Sequence, residues 1–299
     1  MRIVSLLPSA TEIVCALGLG DRLVGVSSDC DWPPEVRALP ALSQAVVTAD
    51  RPSAAIDAAI RGAVHTGTSV YHLDAARLAA LAPDLILTQE LCRVCAPSFT
   101  EVCRAARVLA GQPSIVSLEP HGLDDILETI LDVGRRTGVQ PAAAALVGAL
   151  RERIARVRRL PPPAPRPRVV CLEWLEPLFV AGHWVPEMVE VAGGVDVLGR
   201  AGEASYAVDW EQVRDAAPEV VVVMPCGFDM ARTRRELHLL TDRPGWDALP
   251  AVRAGRVYLT DASAYFNRPG PRIVRGVEIL AELLRAPGGP FRTEGAASL

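Results

Sequence analysis

Short apolar runs alternate with amphipathic, Ala- and Leu-rich stretches from the first residues of the chain. Arg2 to Leu7 predicts a strand, followed by a helix opened by the capping pair Ser9 and Glu12 and closed near Gly18 or Gly20. Leu23 to Ser27 predicts a second strand. An Ala-rich helix over Ser53 to Ala63 and a short one over Asp74 to Leu81 lead through Pro83 into a strand, Asp84 to Thr88. A helix from Pro97 to Leu109, a strand Ile115 to Leu118 and a helix from Leu123 to about Thr137 follow. Such alternation predicts an α/β fold whose parallel sheet is covered on both faces.

Pro141 to Leu160 reads as one long Ala- and Arg-rich helix, and Pro161-Pro-Pro-Ala-Pro-Arg-Pro-Arg after it cannot continue a helix. Beyond that break the pattern restarts, with strands at Val169 to Leu172, Leu178 to Ala181, Val220 to Met224 and Arg256 to Thr260, then a helix Pro271 to Leu284. The expected division is a first lobe over 1–138, helix and Pro-rich linker over 139–165, a second lobe over 166–290 and a loose tail over 291–299. An internal echo supports two lobes. Leu73-Asp74 precedes Ala82-Pro83-Asp84-Leu-Ile-Leu, and Val208-Asp209 precedes Ala217-Pro218-Glu219-Val-Val-Val, with the same spacing from Asp to Pro. Each lobe then holds a helix-Pro-strand unit, ending near Cys92 in one and Cys226 in the other.

Composition narrows the function. The net charge of −4, carried with no Lys at all, leaves no basic surface for nucleic acid. No apolar run reaches the roughly 18 residues of a membrane span. The apolar run at Met1-Arg-Ile-Val-Ser-Leu-Leu is cut by Pro8, and Glu12 lies where a lipoprotein cleavage site before Cys15 wants an apolar residue. The expectation is a cytoplasmic protein as the sequence stands, or a periplasmic or extracellular one if a leader was removed. Seven cysteines, an odd number, with one Cys-x-x-Cys favour a reducing compartment.

Arg2-Ile-Val-Ser-Leu-Leu-Pro-Ser-Ala-Thr-Glu, Leu23-Val-Gly-Val-Ser-Ser-Asp-Cys-Asp-Trp-Pro, Leu81-Ala-Pro-Asp-Leu-Ile-Leu, Phe179-Val-Ala-Gly with Met188-Val-Glu-Val-Ala-Gly-Gly, and Tyr265-Phe-Asn-Arg-Pro-Gly-Pro-Arg stand in an order that spans nearly the whole chain. In that order the chain resembles the helical-backbone (class III) substrate-binding proteins, closest to the cobalamin-binding proteins of vitamin uptake transporters. It is similar to a subgroup carrying Gln-x-x-Cys-x-Val-Cys-Ala. The resemblance implies two Rossmann-like lobes joined by a single long backbone helix, a ligand cleft between them, and no enzymatic activity. It also implies aromatic packing on a flat corrin ring, by Trp32 in the first lobe and Tyr265, beside Phe266, in the second. Transporter-coupled members dock on a permease through an acid on each lobe; here those positions fall on Asn267 and on Ala76 or Asp74, so an ABC permease partner lacks its evident acids.

Loops that follow strands are where open α/β sheets bind ligands. There the chain places Glu90, Glu119 and His121, with the imidazole a possible axial ligand to cobalt or iron. Trp174, His183, Trp184 and Phe228 are further candidates for ligand contact, and Arg268 and Arg272 could pair with acidic side groups. Cys30, Cys92, Cys95 and Cys226 are enough for a tetrahedral zinc or iron site, or an iron–sulfur cluster, if they converge. They are equally readable as small fillers of tight loops, or Cys92 and Cys95 as a redox pair. Cys15, Cys103 and Cys171 fall inside element patterns and read as core. The leading expectation is a binding protein for a corrinoid or other metal-chelate; the alternative is a cytosolic metalloprotein or metal-dependent enzyme built on the cysteines.

Overall fold

The computed structural model describes residues 1–47, 50–66, 68–90, 99–106, 111–286 and 288–299. The chain divides into two compact units, one made of Met1–Thr48, Ala58–Pro120 and Asp124–Ala149, the other of Ala49–Asp57, His121–Leu123 and Leu150–Leu299.

In the first unit, strands β1 (Ile3–Ser5), β2 (Leu23–Ser27), β3 (Ala41–Ala45), β4 (Tyr71–Leu73), β5 (Leu85–Thr88) and β6 (Ser114–Ser117) form a sheet in the order β4-β3-β2-β1-β5-β6. All neighbours are parallel except β3 and β4. The central strands β1 and β5 are buried on both faces, so their apolar residues run without alternation. Val4, Leu6, Leu42, Leu78 and Ile86 make the core there. The helix Pro8–Ala16 has Leu7 as its N-cap with no side-chain capping bond; Ser9 and Glu12, the expected capping pair, are buried along it instead. Pro8 explains the shift, since a proline in the first turn needs no amide partner.

In the second unit, β7 (Arg168–Leu175), β8 (Leu178–Val180), β9 (Val195–Asp196), β10 (Tyr206–Ala207), β11 (Val220–Val223), β12 (Val257–Thr260), β13 (Arg292–Thr293) and β14 (Ala296–Ser298) form a sheet ordered β10-β8-β7-β11-β12-β14-β13, with β9 also on β7. Its centre, β7-β11-β12, is parallel, and the added outer strands β8, β10, β14 and β13 are antiparallel. Both sheets are therefore mixed, each with the expected parallel strands at its centre. The reason is local: the two residues between β7 and β8 are room only for a hairpin, which makes its strands antiparallel. The tail expected to be loose is instead held in the sheet, which is a correction. Its β14 pairs with β12, Leu299 N donates to Val257 O at 2.9 Å, and Phe291 meets Tyr258 edge-on at 5.7 Å.

The internal echo has a physical counterpart in each unit. Asp74 caps the helix Ala75–Leu81 by accepting from Arg77 N at 2.8 Å, and Asp209 precedes the helix Trp210–Asp215, its own N–H donating to the Gln212 side chain at 2.8 Å. Each helix ends in a left-handed alanine, Ala82 or Ala217, before the proline. The acid after each proline then accepts from the amide that opens the neighbouring strand: Arg2 N to Asp84 Oδ2 at 2.7 Å, Arg168 N to Glu219 Oε2 at 2.8 Å. Even the arginine side chains agree, Arg2 donating to Leu81 O and Arg168 to Ala216 O. One structural unit thus occurs twice.

Two early segments of the chain belong with the second unit for identifiable reasons. Ser53 N donates to both Glu236 carboxylate oxygens at 3.1 and 3.2 Å, and Arg232 Nη2 donates to Arg51 O at 2.7 Å. Leu123 N, opening the helix Leu123–Thr137, donates to Glu187 Oε2 at 2.7 Å. The carboxylate also suits the positive end of that helix.

Candidate functional site

In the first unit, the ends of β1 and β2 meet in a small polar knot. Thr11 Oγ1 donates to Ser5 Oγ at 2.8 Å and lies 3.1 Å from Cys30 Sγ, while Cys30 N donates to Ser27 O. Cys30 is buried against this hydroxyl pair. Next to it Asp29 accepts from Tyr71 OH at 2.7 Å, which ties the β2 loop to β4. Trp32, two residues after Cys30, is 45% exposed. Glu90 lies exposed after β5, and Glu119 lies exposed after β6, taking a 2.6 Å hydrogen bond from Ser117 Oγ. Cys92 and Cys95 lie outside the described residues.

In the second unit, the register of β7 against β8 slips between Leu172 and Trp174, making Glu173 the extra residue of a bulge. Bulges re-aim side chains, and here the carboxylate turns to accept from Ser205 Oγ at 3.0 Å and from the Gly182 amide. Burial nonetheless pushes the Glu173 carboxyl up to about 7, the two hydrogen bonds offsetting only part of that effect. Gly182 is required at its place, because a Cβ would collide with the backbone of Glu203 to Ser205. Cys226 N donates to Glu173 O at 2.9 Å, bringing the loop after β11 beside the bulge; its side chain is half-buried.

The aromatic candidates separate into buried supports and accessible faces. Trp174 is half-buried, its indole N–H donating to Glu176 O, and it packs at 5.2 Å on Phe228. Phe228 is fully enclosed, with the Arg232 guanidinium 4.3 Å from its ring centre. Trp184 is also buried and donates to Phe266 O at 2.8 Å. Phe266 is buried completely. Phe228, Trp184 and Phe266 are thus corrected from ligand faces to supports, since enclosed rings have no surface left to offer. The helices Val185–Ala192, which Trp184 precedes, and Ile273–Arg285 pack together, while Phe228 is covered by Trp174 and Arg232. Gly276 lets the second helix approach the Tyr265 carbonyl, where any Cβ would clash.

His183 sits in left-handed backbone (φ 51°), held on both sides by hydrogen bonds, its N–H to Glu203 O and its O from Gly202 N. Its ring stacks on Trp184 at 5.6 Å and lies 6.5 Å from the ring of His121. His183 Nδ1 is enclosed and has no hydrogen-bond partner among the described residues. Burial, and next the neighbouring His121, lower its pKa, so the ring is uncharged at neutral pH. Tyr265 is half-buried, its hydroxyl donating to Glu294 Oε1 at 3.0 Å; burial chiefly, then that acid, raises its pKa. Arg272 lies 5.9 Å from the same ring.

The structure thus brings His121, His183 and Trp184 together, and separately Glu173, Trp174, Cys226 and Phe228. Among the described residues no three His, Cys, Asp or Glu side chains stand close enough to hold a metal ion. Of the docking positions, Asp74 is occupied as a helix cap and Asn267 Oδ1 is buried without a partner among the described residues. Cys171 is core, as its pattern implies, whereas Cys15 and Cys103 are only half-buried. Ser205 and Arg232 went unseen in the sequence: one lies in a loop without motif, the other reads as one basic residue among several in Met230–Arg235.

A family model described as "Periplasmic binding protein" matches residues 3–264, and the chain belongs to that family. It is a family of substrate-binding proteins and not of enzymes. The chain is 25% identical over 287 residues to the vitamin B12-binding protein of Vibrio cholerae, covering 95% of this chain and 89% of that one. An uncharacterized ABC transporter substrate-binding lipoprotein of Bacillus subtilis is 23% identical over 289 residues, covering 94% and 79%. Among solved structures, the periplasmic heme-binding protein RhuT of Roseiflexus sp. RS-1 in apo form superposes with a TM-score of 0.69 at 26% identity, covering 95% of this chain and 97% of that one.

Proposed function

We propose that this protein binds a corrinoid or a closely related metal-chelate ring and serves as the substrate-binding component of an uptake system. The observation that carries the reading is Trp32. Its neighbours Cys30 and Asp29 are fixed by Thr11 and Tyr71, yet a large indole beside them is left 45% exposed. An exposed, anchored aromatic face covers a flat ligand with little entropy left to lose. The relatives that bind vitamin B12 and heme support the ligand class, and both are flat metal chelates.

Family membership supports a periplasmic or extracellular setting over the cytoplasmic expectation, and no helix among the described residues is long and apolar enough to cross a membrane. The Bacillus relative supports delivery to an ABC permease. With Asn267 at one expected docking position and Asp74 engaged in a cap at the other, that contact uses other residues than the usual pair of acids.

The test is a panel of aquocobalamin, cyanocobalamin, hemin and a ferric hydroxamate, each added to the purified protein while its thermal midpoint is followed. A ring chelate raises the midpoint and the hydroxamate does not. Stabilisation by the hydroxamate alone contradicts the reading.

A further inference from the structure

Residues 200–205, between β9 and β10, lie just beyond the end of β8 and are tied there by hydrogen bonds. The His183 N–H donates to Glu203 O at 2.6 Å, Gly202 N donates back to His183 O at 2.9 Å, and Ser205 Oγ donates to Glu173 at 3.0 Å. Gly182 gives the segment its seat, since a Cβ there would run into Glu203 O and Ser205 N. Only Ser205 is even half-buried, so no side chain of the segment anchors it in the core. Segments with so little buried surface open at lower free energy than the sheet beneath them. Both ends are fixed, Gly199 N donating to Asp196 Oδ1 at 2.6 Å and Tyr206 pairing with Val180. Between them Arg200 pairs with Glu203 at 3.5 Å and lies 4.4 Å from the Tyr206 ring, which holds the segment together as a unit. What it grips is strained: His183 keeps left-handed backbone, φ 51°, between the two hydrogen bonds to the segment, and lifting the segment frees it from a costly conformation.

We propose that residues 200–205 are a strap that lifts from the end of β8 as a unit, and that the charge on Glu173 sets how readily it lifts. Seated, the strap helps to bury the Glu173 carboxyl, and burial pushes that group up to about 7. Lifted, the carboxyl meets water and returns toward an ordinary value of about 4.3. Acid therefore favours the seated strap, and the lifted form gains as pH rises from about 5 to about 7 and gains little above that. Other groups near Glu173 do not supply this dependence. The Cys171 thiol on β7 is held neutral by burial, Cys226 meets the Glu173 carbonyl through its backbone, Glu203 is exposed and paired with Arg200, and Asp196 belongs to the fixed end. His183 acts the other way, because burial chiefly, then His121, lowers its pKa and an uncovered imidazole takes up a proton in acid. Lifting uncovers an acid beside Trp174 at the strand ends where the candidate site lies, so that part of the site is more often open at neutral pH than in acid. The device stands on the geometry of the second unit alone and does not depend on which ligand the protein takes.

The experiment is amide hydrogen exchange on the full chain, without ligand, from pH 5 to 7, with rates corrected for intrinsic chemical exchange. Glu173→Gln removes the charge, and Ser205→Ala removes the hydroxyl while leaving the charge. The Met224 amide, which donates to Leu172 O between the central strands, reports global unfolding. The expected result is that His183 and Gly202 exchange at least about tenfold faster than Met224 in the parent protein. Between pH 5 and 7 the parent-to-Glu173→Gln ratio of rates at these two amides rises at least about tenfold, as a shift from about 4.3 to about 7 requires; the His183 contribution is common to both proteins and cancels. Ser205→Ala speeds both amides at least about threefold and leaves Met224 unchanged, which keeps the test open if Glu173→Gln does not fold. His183 and Gly202 as protected as Met224, a parent-to-variant ratio flat with pH, or no change at the two amides in Ser205→Ala each overturns the proposal.

Discussion

Glu173 shows how a single residue's surroundings set a measurable property. Its carboxyl titrates near 7 in the folded protein because burial in the β7 bulge outweighs the hydrogen bonds from Ser205 and Gly182. An unfolded glutamate titrates near 4.3. The folded state therefore binds the extra proton, so the associated stability is fully present below about pH 4 and is lost as pH rises through about 7. The loss is about 4 kcal/mol at most. Asp196, raised by burial to about 6 despite accepting from Gly199 and Leu198 amides, acts in the same direction. Thermal melts from pH 5 to 8 should fall in midpoint, and Glu173→Gln should flatten part of that slope. An unchanged slope in Glu173→Gln would show the carboxylate to be solvated. At this scale the sequence was partly legible: Trp32 stood out because Asp-Trp-Pro follows a strand-like run, and it is exposed. Phe266 and Phe228 looked equivalent, but local pattern carries no information about what will cover a strand end.

Among the elements, the repeated helix-Pro-strand unit was the most readable feature, since its capping acid, left-handed alanine, proline and strand are all encoded within fifteen residues. Asp74→Ala removes a side-chain cap and should cost about 1 kcal/mol in chemical unfolding, in keeping with other N-caps. The segment around Ser53 was not readable in this way. Its attachment depends on Glu236, which accepts from Ser53 N and from Arg232 Nη2, the latter at 2.6 Å in an ion pair 9% and 8% exposed. Burial alone would raise the Glu236 pKa, but the hydrogen bonds from Ser53 and Arg232 together bring it below the ordinary value. Removing one partner of such a pair leaves a buried charge uncompensated, so Glu236→Ala should destabilise the fold by about 3–5 kcal/mol. Loss below about 1 kcal/mol would mean that the guanidinium reaches water. The short strands β3, β4, β13 and β14 were missed for a different reason. Ala41-Leu-Ser-Gln-Ala and the three-residue strands have too few apolar positions to establish a period, and their pairing is dictated by the sheet edge they join.

For the whole molecule, the alternating pattern and the proline break led to an α/β protein with two sheets, and family membership makes it a periplasmic-type binding protein. The ligand is less legible than the fold, because aromatic and imidazole groups at strand ends suit several flat chelates alike. The four cysteines illustrate the limit: Cys30 is explained by its contact with Thr11, and Cys226 by its place beside the bulge, without appeal to a shared metal. The central claim is that a ring chelate is held against Trp32. The most direct measurement is calorimetric titration of the parent protein and Trp32→Ala with aquocobalamin and with hemin, followed in parallel by visible absorption. The account predicts one-to-one binding of at least one of them at micromolar concentration or tighter, weakened at least about tenfold in Trp32→Ala, as loss of a stacking surface of a few kcal/mol requires. Neither heat nor spectral change with either chelate at high micromolar concentration would contradict it, as would equal affinity in the variant.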